Sequence, residues 1–440
     1  MSRPTTGPVR DGWTNWSRTV SSRPAAVATP TDPERLGRLI TEAAGRGATI
    51  KAVGAGHSFS AIAATDGVQV RLDAMAGLRR VDRESGLVTV GGGTRLADLT
   101  LGLASYGLAL PNLGDIDRQT IAGAISTGTH GSGNRLGGLA TQVRGLTLIG
   151  GDGSLLRASA SENADVLAAA ALGLGALGIV VEVTLQCVPT FLLRAEEGSA
   201  TLPEVLEQWP TWIAENDHVD LHWFPHTEWV LTKRNNRVDG PPAPLSGWRH
   251  LVDDELLANG VLGLINEVGT RRPAWQPRIN ELAGQTLSPR TFTDHSAAVF
   301  VSPRRVRFVE CEYAIPRTSL VPVISELRRW IDRSEERIGI PIEIRSAASD
   351  DLWLSTGHQR ENAYVAVHHY WRQDPTRYFA AFEAIVAEHD GRPHWGKMHS
   401  LDADRLRELY PRFDDFLAVR ERLDPGRVFT NPYLDRVLGP

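Results

Sequence analysis

The sequence predicts an α+β protein of two domains, on three observations. At 440 residues the chain exceeds what one hydrophobic core organises. Up to about residue 190, short β-rich runs alternate with helical pieces under dense glycine punctuation, which suits a backbone that approaches a ligand closely. Beyond that point the order strand, helix, strand, strand suggests an antiparallel sheet with helices on one face. The domains are accordingly drawn at 1–190 and 191–440, with Pro189 at the edge.

After a polar leader, "TDPERLGRLITEAAGRG" reads as a helix. Thr31 or Asp32 caps it, Pro33 sits in the first turn, Leu36, Leu39 and Ile40 form one face, and Gly45 and Gly47 close it. "TIKAVG", "GVQVRL", "GLVTVGGG", "RGLTLIGG" and "IVVEVTLQCV" read as strands, with helices at "TRLADLTLGLASYG" and "ENADVLAAAALG". Past residue 190 Trp and His become frequent, and a Pro/Gly-rich loop at "DGPPAPLSGW" precedes a helical stretch around Leu256 to Leu282. "RVRFVECEYAIP" is a strand, "SLVPVISELRRWIDRSEERIG" a helix, and "IPIEIRS" and "NAYVAVHHYW" are two further strands.

Composition excludes several classes. With 42% apolar and 22% charged residues this is an ordinary globular composition. A net charge of -5 without a Lys/Arg run gives no footprint for nucleic acid, so a small molecule is the expected partner. Cys187 and Cys311 stand far apart with neither disulfide nor zinc spacing, which points to a reducing compartment. No leader-like or membrane-spanning apolar run is visible, so a cytoplasmic protein without integral membrane contact is expected.

"KAVGAGHSFS" (Lys51 to Ser60) poses the functional question. A serine nucleophile elbow needs G-x-S-x-G between strand and helix, and "GHSFS" departs from it. "GAGHSF" lacks the third glycine of a dinucleotide fingerprint, and the true match "GLGALG" (Gly173 to Gly178) lies after a helix and before a strand, the reverse of the required order. What remains is a pair of glycine-rich turns, "VGAGHS" and "AGAISTGTHGSG". Their backbone N–H groups, with the hydroxyls of Ser58, Ser126, Thr127 and Thr129, could cradle a pyrophosphate. Either turn alone could equally be a tight turn with solvent-facing hydroxyls; two in one domain, with "GLGALGIV" as a third close approach, favour a large phosphorylated cofactor.

In the second half, Glu343 and Arg345 of "PIEIRS" share one strand face opposite Ile342 and Ile344, as a site or as an ordinary surface pair. In "YVAVHHYW" Tyr364, Ala366, His368 and Tyr370 share a face, while Val365, Val367 and His369 share the other. The turn "GRPHWGK" is expected to present Trp395 and Lys397. The His368/His369 pair lacks the carboxylate pattern of a metal site, and no metal is expected.

Taken together, "VGAGHSFS", "TIAGAISTGTHGSG", "GALGIVVEVTLQCVP", "IEIRSAASDDLWLS" and "RPHWGKMH" resemble the flavin-dependent aldonolactone and alditol oxidoreductases of the vanillyl-alcohol oxidase fold. The likeness runs from about Trp13 to "LDPGRVFTNPYL", with "LATQVRGLTL" and "VTLQCVP" closest to gulonolactone oxidases and dehydrogenases. It implies an N-terminal FAD-binding domain and a C-terminal cap, with a tail from about residue 395 returning to the flavin. It also implies a covalent bond from His57 to FAD, with Val53, Gly54, Ala55, Gly56 and Ser58 around the pyrophosphate. Gly114, Thr120, Gly123, Ser126, Thr127, Thr129, His130, Gly131, Gly178 and Val180 complete the implied cofactor contacts. Glu343, Arg345, His368 and Lys397 are the implied catalytic residues, and Thr120 and Tyr370 join Glu343, Arg345 and Lys397 as substrate contacts.

The expected reaction is oxidation of an aldono-1,4-lactone such as L-gulono-1,4-lactone by hydride transfer to the flavin. Arg345 and Lys397 would stabilise developing negative charge. Tyr370, where alditol oxidases carry threonine, favours a ring-shaped substrate; Gly114 leaves access for oxygen, though another electron acceptor is also compatible. A polyol or cyclitol oxidase, or a flavin-binding protein without catalysis, are the alternatives.

Overall fold

The computed structural model describes residues 12–245, 267, 269–302 and 306–440. Most of the polar leader, part of the Pro/Gly-rich loop and the first part of the stretch from Leu256 lie outside the described residues; later in that stretch the helix Gln276–Gln285 is described.

The first half is built on two small sheets. In one, strands Ala26–Ala28, Val68–Val70 and Ile50–Ala52 lie parallel in that order. The helix Pro33–Gly45 connects the outer two and buries Leu36, Leu39, Ile40 and Ala43. Asp32 caps it, its carboxylate accepting from the Arg35 N–H at 2.8 Å. The second sheet is antiparallel, in the order Leu155–Ser159, Val143–Ile149, Ile179–Gln186, Leu87–Gly91, Leu78–Val81. Its apolar side packs on Leu96–Ser105 and Ala164–Ala170, the two helices expected there.

The second half is one eight-stranded antiparallel sheet. Its order is Arg290–His295, Leu192–Thr201, Trp229–Val238, His218–Trp223, Ile342–Ala347, Asn362–Tyr370, Phe308–Pro316, Arg392–Pro393. Period-two alternation gives this sheet two unlike faces. On one, Val219, Leu221, Val309, Cys311, Ile342, Ile344, Val365 and Val367 join a core with the helices Leu202–Glu215, Leu320–Arg333 and Thr376–Ala387. Helix Leu320–Arg333 alone buries Leu320, Val323, Ile324, Leu327 and Ile331, each contributing about 1.5 to 3 kcal/mol of apolar burial. The residues between them, Asp220, His222, Glu310, Glu312, Glu343, Arg345 and His368, therefore point to the opposite face.

The C-terminal helices Phe413–Leu423 and Pro432–Leu438 share a core with strands of the first half, and the buried Lys51 ammonium donates to the carbonyls of Gly175 and Phe429. Among the described residues no helix is long and apolar enough to cross a membrane.

Candidate active site

A cleft in the first half is walled by the backbone of Val53 to Ser58, by Thr120, Ala122, Gly123, Ser126 and Thr127, and by Gly178 to Val180. One wall is a strand end with its glycine turn, one is the start of the strand Ile179–Gln186, and one is the short helix Ile121–Ser126, where the sequence suggested a glycine-rich turn: the run Ile121 to Ser126 is helical and the turn begins at Thr127. Gly56 has φ +67 and Gly178 φ +147, conformations that side chains disfavour. A Cβ on Gly54 would lie 2.3 Å from the hydroxyl of Thr120, so glycine is what lets these two walls meet. Thr120 also caps the short helix Ile121–Ser126, accepting from the Gly123 N–H at 3.3 Å. "GLGALG" follows the helix Ala164–Ala170 and runs into the strand Ile179–Gln186, as its sequence order implies. His57 also lines the cleft. Burial first, then the charges of Arg95, Lys397 and Arg118, lower its pKa to about 4, so the imidazole is neutral at physiological pH.

The polar face of the large sheet carries two linked charge clusters. Arg345 anchors the first: Nε contacts Asp220 at 2.6 Å, the guanidinium reaches Glu343 at 2.6 Å, and the same nitrogen pairs with Asp115 from the first half. Burial opposes the charge, but Asp115, Glu343 and Asp220 outweigh it and hold the pKa well above its ordinary value. His222 lies 3.2 Å from Glu343. Strand register explains the grouping, since Asp220 stands opposite Arg345 and His222 opposite Glu343.

Lys397 anchors the second cluster. Its ammonium pairs with Glu310 and lies 3.5 Å from Glu312. Burial would raise the pKa of both carboxylates, but Lys397, with His368 at Glu310 and His130 at Glu312, reverses this and holds both below the ordinary range. Lys397 is raised in turn: burial opposes its charge and the two carboxylates outweigh the burial. His130 stacks on Tyr364 at 3.7 Å, with its nitrogens 2.9 Å from the Gly131 carbonyl and 2.9 Å from Glu312. His368 turns Nδ1 to the Pro341 carbonyl at 2.8 Å and Nε2 toward Glu310 at 3.6 Å. The ligand atoms of His130, Glu312 and His394, and those of Glu310, Glu343 and His368, are close enough to hold a metal. Each set contains a carboxylate already neutralised by Lys397.

Comparison with known proteins fixes the family. A family model described as an FAD binding domain matches residues 24–159, and one described as D-arabinono-1,4-lactone oxidase matches residues 183–437, more than half of the chain. The chain belongs to the D-arabinono-1,4-lactone oxidase family. An L-gulono-1,4-lactone dehydrogenase of Mycobacterium tuberculosis is 42% identical over 97% of this chain and 99% of that protein. An L-gulonolactone oxidase of Bos taurus is 34% identical over 96% and 97%. A crystal structure of cholesterol oxidase from B. sterolicum superposes with a TM-score of 0.83 over 100% of this chain and 99% of that one, at 19% identity. The fold is the two-domain vanillyl-alcohol oxidase type expected from the sequence, and this member of the oxidase family is an FAD-dependent oxidoreductase.

The cleft suits FAD. Its lining offers backbone N–H groups and the Ser58, Ser126 and Thr127 hydroxyls for a pyrophosphate, with Ile62, Leu72, Leu174, Ile179 and Val180 for flat rings. Among its lining residues Asp73 is the one carboxylate. Val53, Gly54, Ala55, Gly56, His57, Ser58, Thr120, Gly123, Ser126, Thr127, Gly178 and Val180 all line it. Gly114, Thr129, His130 and Gly131 lie outside this lining. The Thr129 hydroxyl accepts from the Gln119 amide at 2.9 Å, and a Cβ on Gly114 would meet the His130 carbonyl at 2.9 Å.

Glu343, Arg345 and His368 share one sheet face, and the turn after the strand Arg392–Pro393 brings Lys397 against it. Trp395 departs from expectation: it is 1% exposed and donates to the Leu354 carbonyl at 2.7 Å, packed on Tyr410, so the turn buries it while turning Lys397 to the carboxylates. Sequence reasoning missed Asp115, Asp220, His222, Glu310 and Glu312. The last four carry a readable signal, alternating charged or imidazole residues in the strands "HVDLHW" and "FVECEY".

Proposed function

We propose that the protein oxidises the secondary alcohol next to the carbonyl of an aldono-1,4-lactone, with L-gulono-1,4-lactone as the leading candidate. The observation that carries this reading is the pairing of Glu343 with Arg345 on the same sheet face as His368, with Lys397 brought against it. Arg345, held in a fixed orientation by Asp220 and Asp115, and Glu343 beside it offer donors and an acceptor to vicinal hydroxyls of a small sugar ring. Lys397 supplies a cation that remains charged well into alkaline pH, which suits an alcohol that becomes an alkoxide. His368, with Nδ1 at the Pro341 carbonyl and Nε2 facing Glu310 across 3.6 Å, is the imidazole on this face assigned to take up the alcohol proton. When bound, FAD supplies the two-electron acceptor. The FAD attachment is proposed to be covalent, through His57.

Support comes from relatives named for L-gulono-1,4-lactone and L-gulonolactone oxidation that match this chain over almost its whole length. Anaerobic addition of lactones, alditols and cyclitols tests the reading. Bleaching of the flavin absorbance by lactones and not by alditols is the expected result; bleaching by alditols alone would make the protein a polyol oxidase. If no sugar bleaches the flavin, catalysis has been lost. Peroxide formation and dye reduction, followed in parallel, identify the acceptor.

A further inference from the structure

His57 lacks what usually fixes a functional imidazole. Among the described residues no hydrogen bond reaches either ring nitrogen, and rotation about the last side-chain torsion of a histidine is soft. The segment Trp13 to Val20, which precedes the start of the matched FAD-binding family model at residue 24, compensates. Trp16 stacks on the imidazole with centroids 5.5 Å apart and planes 24° apart. It is wedged edge-on against Phe59 and Phe308, at 6.2 and 5.4 Å.

The backbone on both sides of His57 is held by the same segment. The Trp16 N–H donates to the Gly56 carbonyl at 2.8 Å, and the Asn15 amide donates to the Ser58 carbonyl at 3.0 Å. Asn15 is 3% exposed, and its other contacts, to Ser17, Thr19 and the Val20 N–H, stay inside the segment. Trp13 closes the outer side, 3.3 Å from where a Cβ on Gly56 would stand.

We propose that Trp16 and Asn15 are positioning residues for the bond between His57 and FAD: Trp16 sets the plane of the imidazole and Asn15 anchors the turn that carries it. The proposal rests on the reading of His57 as the attachment point. In that step an imidazole nitrogen bonds to a methyl carbon of the flavin as one C–H and one N–H bond break. Two protons leave, and the two electrons pass through the flavin ring to dissolved molecular oxygen, which takes up two protons and departs as hydrogen peroxide. The low pKa of His57 keeps a ring lone pair available for this step at physiological pH.

The test compares wild type with the W16A, W16F and N15A variants, each supplied with FAD. Total flavin per chain is read by absorbance, and the covalent share by flavin fluorescence on denaturing gels and by retention in an acid-precipitated pellet. W16A and N15A are expected to attach FAD about tenfold more slowly or worse, with total flavin per chain retained, because a small misplacement of a reacting group is costly. W16F keeps an aromatic face and is expected to attach at close to the wild-type rate. Attachment by folded W16A at the wild-type rate overturns the proposal. Should W16A fail to fold, W16L, which keeps apolar bulk without an aromatic face, decides in the same way. Release of the wild-type flavin by acid is a different failure: it removes the attachment reading itself.

Discussion

Glu312 holds Lys397 and His130 with the two oxygens of one buried carboxylate, at 3.5 and 2.9 Å, and so ties the C-terminal tail to the glycine-rich turn of the first half across the polar face of the sheet. Removing one partner of a buried ion pair costs about 3 to 5 kcal/mol, because the remaining charges stay buried. E312Q is therefore expected to lower the melting temperature by several degrees. Glu310 and Glu312 are held below their ordinary value of 4.5, so their contribution is complete above that pH and fades as the pH falls through the lower folded values. Lys397 is raised above 10.5, so its share is complete below that pH and fades as the pH rises further. The melting temperature of wild type should consequently fall more steeply below pH 4.5 than that of E312Q; parallel curves would show that Glu312 is not a stabilising carboxylate.

The fork of Arg345 is shared by three carboxylates, and lysine cannot reproduce that geometry. R345K is expected to reduce kcat/KM for the lactone by about a hundredfold or more, in line with the loss of one preorganised charge contact. D220N acts through Arg345, whose Nε it would hold more weakly, and should cost less. Steady-state kinetics of both variants check this order, which D220N would contradict by costing more than R345K.

Much of this fold was legible because its cues are local. Asp32, Pro33 and the Leu36, Leu39, Ile40 stripe mark the first helix within one run, and the alternation around Ile342 and Val365 assigns two strands and both faces. The glycine turns could be read as a cleft because steric freedom at Gly54, Gly56 and Gly178 belongs to the residue itself. What stayed hidden was produced by pairing. Asp220 meets Arg345 across 125 residues of sequence, and His130 meets Glu312 across 182, so nothing near either residue announces its partner. The hairpin of His218–Trp223 and Trp229–Val238 was also missed: its Trp and His residues drew notice as composition, while the alternation of Val219, Leu221 and Trp223 with Asp220 and His222 held the structural information.

At the cleft, Gly54 and Thr120 make a two-residue test of how closely its walls must approach. The methyl of G54A would fall 2.3 Å from the Thr120 hydroxyl, an overpacking that costs about 1 to 3 kcal/mol where neither backbone can withdraw. Flavin per chain in purified G54A should drop, and T120A in the same chain should restore part of it despite the loss of the cap on Gly123. Equal flavin content in wild type and G54A would mean that the cleft widens without cost.

Tyr370 closes its strand with the hydroxyl 3.1 Å from Glu267 and is 8% exposed, a bulky group on the face that carries His368. A linear alditol must extend where a lactone folds back on itself, so the space beside His368 decides between them. Y370T removes the ring, and the ratio of kcat/KM for an alditol over that for the lactone should rise about tenfold, the scale of a modest change in pocket volume. Y370F separates shape from bonding: it keeps the ring and loses the bond to Glu267, so it should retain the wild-type preference. If Y370F relaxed the preference as far as Y370T, selection would depend on the position of the Glu267 contact and not on the space the ring fills.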